Sequence, residues 1–191
     1  MTNNYVGNAA VYLITTIFMM YMTLVMLRFL LQLARADFHN PLSQFVVKAT
    51  NPPLKLLRRG IPSIAGIDTA SVVLLFALQM LMIWLISIAN AQTISLVGMM
   101  VLSVAELLSL LLNVYLVAII ALIVLSWIGP KTYNPIVNLI FSLAEPVMRP
   151  ARRVLPPISG IDLSPILVFL AMNLIKILLI APIADLGRSL A

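Results

Sequence analysis

Four long apolar stretches alternate with polar segments along this chain, and two of those segments are long, basic and rich in proline. The apolar stretches predict membrane-spanning helices at about 8–33, 69–90, 102–127 and 163–184, because a helix needs roughly 20 apolar residues to cross a bilayer core. The two long loops, at 34–68 and 128–162, hold most of the charged side chains. The pattern therefore predicts an all-α membrane protein with four transmembrane helices.

A phrase of turn-forming and basic residues occurs twice, 94 positions apart. The two copies run Asn40-Pro41, Pro52, Arg58-Arg59, Pro62, Gly66-Ile67-Asp68, and Asn134-Pro135, Pro146, Arg152-Arg153, Pro156, Gly160-Ile161-Asp162. The same offset, applied to the first span, locates the third span within the apolar stretch 93–128. We therefore predict two tandem repeats, residues 1–92 and 102–191, joined by an apolar connector at 93–101. Each repeat has two spans, so the repeats should be parallel, related by an axis along the membrane normal.

Composition and charge agree with a membrane location. The chain is 62% hydrophobic and 9% charged, whereas a soluble domain carries about 25% charged residues. The net charge of +6 comes mainly from basic residues beside the spans, where they set topology and contact anionic headgroups. This distribution favours the lipid bilayer over nucleic acid as the partner. The positive-inside rule predicts that both basic loops are cytoplasmic and that both termini lie outside. The first apolar stretch has no basic residue before it, so it is interpreted as a retained span rather than a signal peptide.

Each basic loop is predicted to form short amphipathic helices on the membrane surface. Asn40-Pro41 and Asn134-Pro135 combine a helix cap with the proline that suits a first helical turn. Apolar residues then follow at helical spacing. Pro52 and Pro146 are expected to end these helices, because proline disfavours helix in the residue before it. A second short helix in each loop would then carry the arginines.

Asp68 and Asp162 are paired carboxylates that immediately precede the second and fourth spans. At that position a carboxylate is typical of a helix cap, where negative charge is also favourable. A cation or proton site shared by the two repeats is the alternative.

A cluster of arginines in the two loops is the main candidate contact surface. Arginine suits phosphate by charge and by bidentate geometry. The cluster could contact lipid headgroups or signal topology, or it could bind a specific phospholipid or protein. Its members are Arg58, Arg59, Arg149, Arg152 and Arg153.

Several polar side chains fall within the predicted spans, where charge is costly. They are Gln79, Glu106, Asn113, Asn173 and Lys176. Such side chains commonly join helices through hydrogen bonds, and a lysine can extend its amine toward the interface. A water-filled path for ions or protons is the alternative. Gln79 and Asn173 correspond in the two repeats, whereas Glu106 and Lys176 correspond to Tyr12 and Met82, so the charges are not duplicated.

No short catalytic or metal-binding motif is present. The sequence has no cysteine, and it lacks the HExxH, phosphate-loop, GxGxxG and GxSxG patterns. His39 stands alone, without nearby metal ligands in the sequence. These observations predict no enzyme activity, no cofactor and no metal site. An enzyme acting on lipids would have to use Asp68 and Asp162.

The duplicated phrase resembles that of the YggT family of bacterial and plastid membrane proteins, over about residues 28–90 and 122–180. The second copy departs from the first where Gly129-Pro130 replaces the region of Ala34-Arg35, and where Pro150 enters the arginine segment. The resemblance implies an integral membrane protein without an assigned enzyme activity. It also implies roles in osmotic-stress tolerance and ion balance, in cell division, or in assembling membrane complexes in plastids. It supplies no catalytic residues.

The leading functional hypothesis is therefore a non-enzymatic inner-membrane protein that supports osmotic or envelope homeostasis. It would bind lipid and a partner membrane complex through its basic loops. The alternative is a channel or transporter with a polar path along the intramembrane side chains. Four spans make a thin wall, so that alternative requires an oligomer.

Overall fold

The computed structural model describes residues 5–38, 40–64, 66–128, 134–156 and 162–191, and its regular elements are helices. They are α1 (Tyr5–Leu33), α2 (Pro41–Leu57), α3 (Thr69–Ala89), α4 (Leu96–Ile128), α5 (Pro135–Val154), α6 (Ser164–Ile175), a π-helical turn (Lys176–Ile180) and α7 (Ala181–Ser189). His39, Lys131 and the turn at Gly160-Ile161 lie outside the described residues.

Four helical segments are long and apolar enough to cross a membrane: α1, α3, α4 and the continuous run Ser164–Ser189. The four predicted spans are thereby confirmed as helices. Only 17–33% of the most apolar window of each segment is buried within the protein. Because so much apolar surface remains uncovered, these helices require a lipid environment or further protein around them.

The helices pair within each repeat and then pack repeat against repeat. In the first repeat α1 packs on α3, and in the second α4 packs on α6, the π turn and α7. The two repeats meet where α4 packs on α3 and α1. Helix α2 packs on α1 and α3, and α5 packs on α4, α6 and α1. Since consecutive spans alternate in direction, α2 and α5 lie at the same end of the bundle, which we call the loop end.

Both surface helices continue through their prolines, so the prediction of two short helices in each loop is wrong. Pro52 lies within α2, and Pro146 and Pro150 lie within α5. Pro53 also lies within α2 and is half-buried, whereas the other three prolines are exposed, on the side where the backbone carbonyls four residues earlier also lie. Solvent or headgroups can hydrogen-bond those carbonyls there, so the missing bonds need not end the helix.

Helix α4 begins earlier than the repeat suggests. Residues 96–101, predicted to belong to a connector, form its first turns. Ser95 caps the helix, because its Oγ accepts a hydrogen bond from the Gly98 amide at 3.0 Å. The Ser95 hydroxyl also donates to the Leu190 carbonyl near the chain end. A Cβ at Gly98 would lie 2.7 Å from the Ala191 Cα, so the glycine allows this close contact.

The fourth span changes its hydrogen-bonding pattern between α6 and α7. Pro182 cannot donate a backbone hydrogen bond, and the π turn Lys176–Ile180 immediately precedes α7. The Ala181 amide reaches back five residues to the Lys176 carbonyl. A local π adjustment of this kind lets a membrane helix accommodate proline without breaking.

Candidate functional site

Two asparagines fix the start of the surface helices at the loop end. The Asn40 side chain accepts a hydrogen bond from the Ser43 amide at 2.8 Å, and Asn134 accepts one from the Ile136 amide at 2.9 Å. Pro41 and Pro135 occupy the first helical positions. The duplicated Asn-Pro pair thus begins α2 and α5 in the same way, as cap and first turn.

An ion pair joins the end of α2 to the start of α3 in the first repeat. Arg58 Nη2 donates to Asp68 Oδ2, and the Ser71 hydroxyl donates to the same oxygen at 2.6 Å. The Asp68 side chain is 4% exposed and the Arg58 side chain 38% exposed. The bridge therefore fixes the end of the surface helix to the start of the returning span.

The same bridge recurs 94 residues later, with an additional carboxylate. Arg152 Nε donates to Asp162 Oδ2 at 2.9 Å, and Arg152 Nη1 donates to Glu145 Oε2 at 2.9 Å. Asp162 Oδ1 accepts from the Ser164 amide at 2.9 Å and from the Ser164 hydroxyl at 2.5 Å. The first arginine of each Arg-Arg pair is therefore engaged in holding a surface helix.

The two aspartates differ in how far they act as the predicted caps. Asp162 accepts a backbone hydrogen bond at the start of α6. Asp68 stands at the N-cap position of α3 but makes no side-chain hydrogen bond to the helix backbone. Sequence reasoning missed both arginine bridges. The available signal was that arginine and aspartate recur together, ten residues apart, in both copies of the phrase.

Both carboxyl groups are held in their charged form. Burial raises the pKa of Asp68, but the hydrogen bonds from Arg58 and Ser71 outweigh burial, so this pKa lies below its ordinary value. Burial likewise raises the pKa of Asp162, and the hydrogen bonds from Ser164 and Arg152 bring this pKa below its ordinary value. Hydrogen bonding to the charged form is the common cause.

The second arginine of each pair remains exposed at the loop end. Arg59 and Arg153 are exposed, and so are Lys55 and Arg149 on the same two surface helices. Of the five arginines predicted as a contact surface, Arg58 and Arg152 are thus structural bridges. Arg59, Arg149 and Arg153 are the ones available to a partner.

A cavity of about 800 Å³ opens beside the bridge of the first repeat, between α1, α2 and the segment that leads to α3. Three cations line it: Arg28, Lys48 and Arg58. Arg28 is 5% exposed and belongs to α1. Its Nη1 donates to Thr50 Oγ1 at 2.8 Å and to Asn51 Oδ1 at 3.0 Å. In the sequence, Arg28 is a single basic residue near the end of the first span.

Two of the predicted intramembrane polar side chains are joined by a hydrogen bond. Lys176 Nζ donates to Asn113 Oδ1 at 2.7 Å, which joins the π turn to α4. Asn173 donates to the Phe169 carbonyl in its own helix at 2.9 Å. Gln79 is buried in α3, which packs on α1, α2 and α4. The ion pairs found among the described residues do not include Glu106.

Comparison with known proteins places these features in a family. The CCB3/YggT family model matches the chain twice, at residues 7–89 and 101–183, with the same offset of 94 as the repeated phrase. The chain is 42% identical to an uncharacterized protein of Pseudomonas aeruginosa over 93% of its own length and 91% of that protein. It is 33% identical to the uncharacterized protein YggT of Escherichia coli K12, with 88% of each chain covered.

A plant relative matches a shorter region. YlmG homolog protein 2, chloroplastic, of Arabidopsis thaliana is 40% identical over 62 residues, which are 32% of this chain and 24% of that protein. No solved structure matches the chain. The two family matches and the near-full-length relatives lead to one conclusion: the chain belongs to the CCB3/YggT family and carries two copies of the family's unit.

Proposed function

We propose that this chain is a non-enzymatic, multi-pass protein of the bacterial inner membrane that binds anionic lipid headgroups through its loop end. In that role it would support envelope homeostasis under osmotic stress, alone or with a membrane complex that docks on the same surface. Both surface helices would face the cytoplasm, and both termini would lie outside. The observation that carries the proposal is the duplicated arginine–aspartate bridge.

The bridges support a headgroup surface because they hold two basic helices in fixed positions. Arg58 and Arg152 are both bonded to the aspartate before the next span. An amphipathic helix tied at that point lies along the bundle end, with its outer side available to the headgroup layer. The neighbouring Arg59 and Arg153 then remain exposed on a positioned scaffold rather than on a free loop.

The charges supply the attraction. Besides Lys48 and Arg58, which line the cavity, four cations are exposed on α2 and α5 or at the end of α2: Lys55, Arg59, Arg149 and Arg153. Each basic residue near an anionic leaflet contributes about 1 kcal/mol. Together they would concentrate anionic lipid around the loop end, and they would equally attract an acidic partner surface.

Two competing functions receive less support. A lipid-directed enzyme would need reactive carboxylates, but Asp68 and Asp162 are both engaged by arginine and held in the charged form. A polar path through the bundle would need connected side chains. Lys176 is bonded to Asn113, whereas the side-chain amide of Asn173 is bonded within its own helix.

Lipid retention tests the proposal. The purified chain should enrich phosphatidylglycerol over phosphatidylcholine, as measured by the lipids that remain bound after extraction from vesicles containing equal amounts of both. Changing Lys55, Arg59, Arg149 and Arg153 to Gln should reduce that enrichment by roughly fivefold for each effective contact. Arg188→Gln is the matched control, because Arg188 lies in α7 at the opposite end. Undiminished enrichment in the fourfold variant would refute headgroup binding by this surface.

Topology and physiology can be tested on the same variants. The chain has no cysteine, so Gly60→Cys and Thr93→Cys each provide one labelling position. In intact cells an impermeant thiol reagent should label the Thr93→Cys variant and not the Gly60→Cys variant. Cells lacking the chain should regain growth in high salt when they express the wild type, and should regain less with the fourfold variant. Equal rescue by the wild type and the fourfold variant would mean that osmotic tolerance does not depend on lipid binding by this surface.

A further inference from the structure

The basic cavity of the first repeat contains a buried cation that is not directly paired with a carboxylate among the described residues. Arg28 is 5% exposed and lines the cavity. Its hydrogen-bond acceptors are neutral: Thr50, Asn51 and the Val47 carbonyl. The ion pairs found among the described residues do not include Arg28. Because burying a guanidinium without an opposite charge is unfavourable, this site favours an anion.

The surroundings of Arg28 add more positive charge than negative charge. Lys48 and Arg58 line the same cavity, with one carboxylate, Asp68, among the lining residues. That carboxylate is already bonded to Arg58 and to the Ser71 hydroxyl. The remaining lining includes side-chain amides and a hydroxyl, which can hydrogen-bond the oxygens of a bound group: Gln32, Gln44, Asn51 and Ser63.

We propose that this cavity binds a phosphate group. Several cations converging from different helices suit a multiply oxygenated anion, and a guanidinium can hydrogen-bond two of its oxygens at once. The cavity volume of about 800 Å³ is in the range of ligand sites, so it can hold a phosphate together with the group that bears it. The phosphate could belong to a phospholipid headgroup that enters from the membrane surface or to a free anion.

The second repeat lacks the same cavity chemistry, although it keeps the arginine–aspartate bridge. The positions equivalent to Arg28 and Lys48 are Leu122 and Ser142. The position equivalent to Asn51 is Glu145, whose carboxylate binds Arg152 at 2.9 Å. Two cations are thus absent and one carboxylate is added. The comparison within one chain indicates that the basic cavity is a specific feature of the first repeat.

This site is separate from the headgroup surface proposed above. The exposed residues Arg59 and Arg153 do not line the cavity, and Arg28 does not belong to the exposed surface. Each proposal can therefore fail without the other. The anionic-lipid enrichment assay tests the exposed headgroup surface, whereas the variants below test the cavity.

Two probes distinguish the sources of the phosphate. In a neutral detergent, inorganic phosphate is titrated at constant ionic strength against chloride, and binding is measured from the rise in the unfolding temperature. In nanodiscs, the same measurement compares phosphatidylglycerol with phosphatidylcholine. Stabilisation by inorganic phosphate would indicate that a free phosphate is sufficient. Stabilisation by phosphatidylglycerol alone would indicate a headgroup.

Three variants decide whether the cavity is responsible. Lys48→Ser and Asn51→Glu each install the residue of the second repeat, and both positions are exposed, so the fold should survive. Lys48→Ser should weaken binding roughly tenfold or more, since a charge-assisted contact is removed. Asn51→Glu should abolish measurable binding, because the new carboxylate would form ion pairs with the cations that line the cavity. Arg188→Gln, in α7 at the opposite end, is the control and should leave binding within about twofold.

The outcomes are clear in both directions. Loss of the stabilisation in Lys48→Ser and Asn51→Glu, but not in Arg188→Gln, supports the phosphate site. Equal stabilisation of the wild type and both cavity variants would overturn it. Failure of both probes to stabilise the wild type would overturn it as well.

Discussion

The duplicated bridge makes a prediction in which one repeat serves as the control for the other. Asp68→Asn removes the charge that holds Arg58 but preserves the shape of the side chain. Asp162→Asn makes the same change in the second repeat. The two sites share their residue types and spacing, so a difference between them must come from their surroundings.

The surroundings predict that Asp68→Asn is the more costly change. Asp68 is 4% exposed, whereas Asp162 is 33% exposed. In the second repeat Arg152 also keeps Glu145 as a partner at 2.9 Å. Losing a hydrogen-bonded charge at the buried site should cost about 1.5–3 kcal/mol. At the more exposed site, where screening is stronger, the cost should be about 1 kcal/mol or less.

Unfolding in detergent measures the difference. For a chain of this size 1 kcal/mol shifts the unfolding temperature by about 2–4 °C, so Asp68→Asn should lower it by roughly 3–12 °C. The double variant with Arg58→Gln should cost less than the sum of the single changes, because the two side chains interact directly. Equal losses for the two aspartate variants, or strictly additive losses in the double variant, would refute the reasoning.

Three further predictions follow from other contacts. The pKa of Asp68 in the folded chain lies below its unfolded value, so the stabilisation is complete above the unfolded pKa and is lost as the pH falls through the folded pKa. Unfolding at a series of acidic pH values measures this loss. Gly187→Ala should destabilise by about 1–3 kcal/mol, because its Cβ would lie 2.9 Å from a backbone nitrogen of α4. Gly60→Ala is the matched change, since nothing lies within 4 Å of its Cβ. Lys176→Met should stabilise the chain slightly in lipid bicelles, because the cost of a charge within a span, on the order of 2.5–3.5 kcal/mol, is somewhat larger than the roughly 1.5–3 kcal/mol of a hydrogen bond from a charged donor such as the Lys176 amine.

Each of these has an outcome that contradicts it. An acid profile unchanged by Asp68→Asn would remove that carboxyl as a cause of pH sensitivity. Equal melting of the Gly187 and Gly60 variants would mean that α4 and α7 do not need their close contact. A loss of stability in Lys176→Met would mean that the lysine makes stabilising interactions in the span beyond its hydrogen bond to Asn113.

Sequence reasoning predicted the spans and the repeat because both depend on local pattern. Apolar run length determines a span, and identical residues at a fixed offset reveal a duplication. The same reasoning failed at Pro52 and Pro146, where the local rule says that proline ends a helix. Position on the helix decided the result there: both prolines face outward, so the unbonded carbonyls are not buried in the bundle.

The candidate site was only partly predictable, because its important contacts cross between helices. The arginine clusters were visible in the sequence, but the division between a bridging Arg58 and an exposed Arg59 depends on how α2 meets α3. Arg28 was hidden for the same reason. In the sequence it is a basic residue near the end of a span, and only packing against α2 reveals that it is buried beside a cavity.

The contrast between Asn51 and Glu145 has a consequence for symmetry. In a dimer of identical chains every side chain is present twice in equivalent surroundings, so a basic cavity on one half would have to recur on the other. Joining two copies in one polypeptide removes that constraint, because each copy can change its residues separately. The arginine–aspartate pair is the same in both halves here, while an equivalent position on the two surface helices is neutral Asn51 in one and acidic Glu145 in the other. A covalently joined pair can thus keep a common scaffold and still assign different chemistry to its two halves.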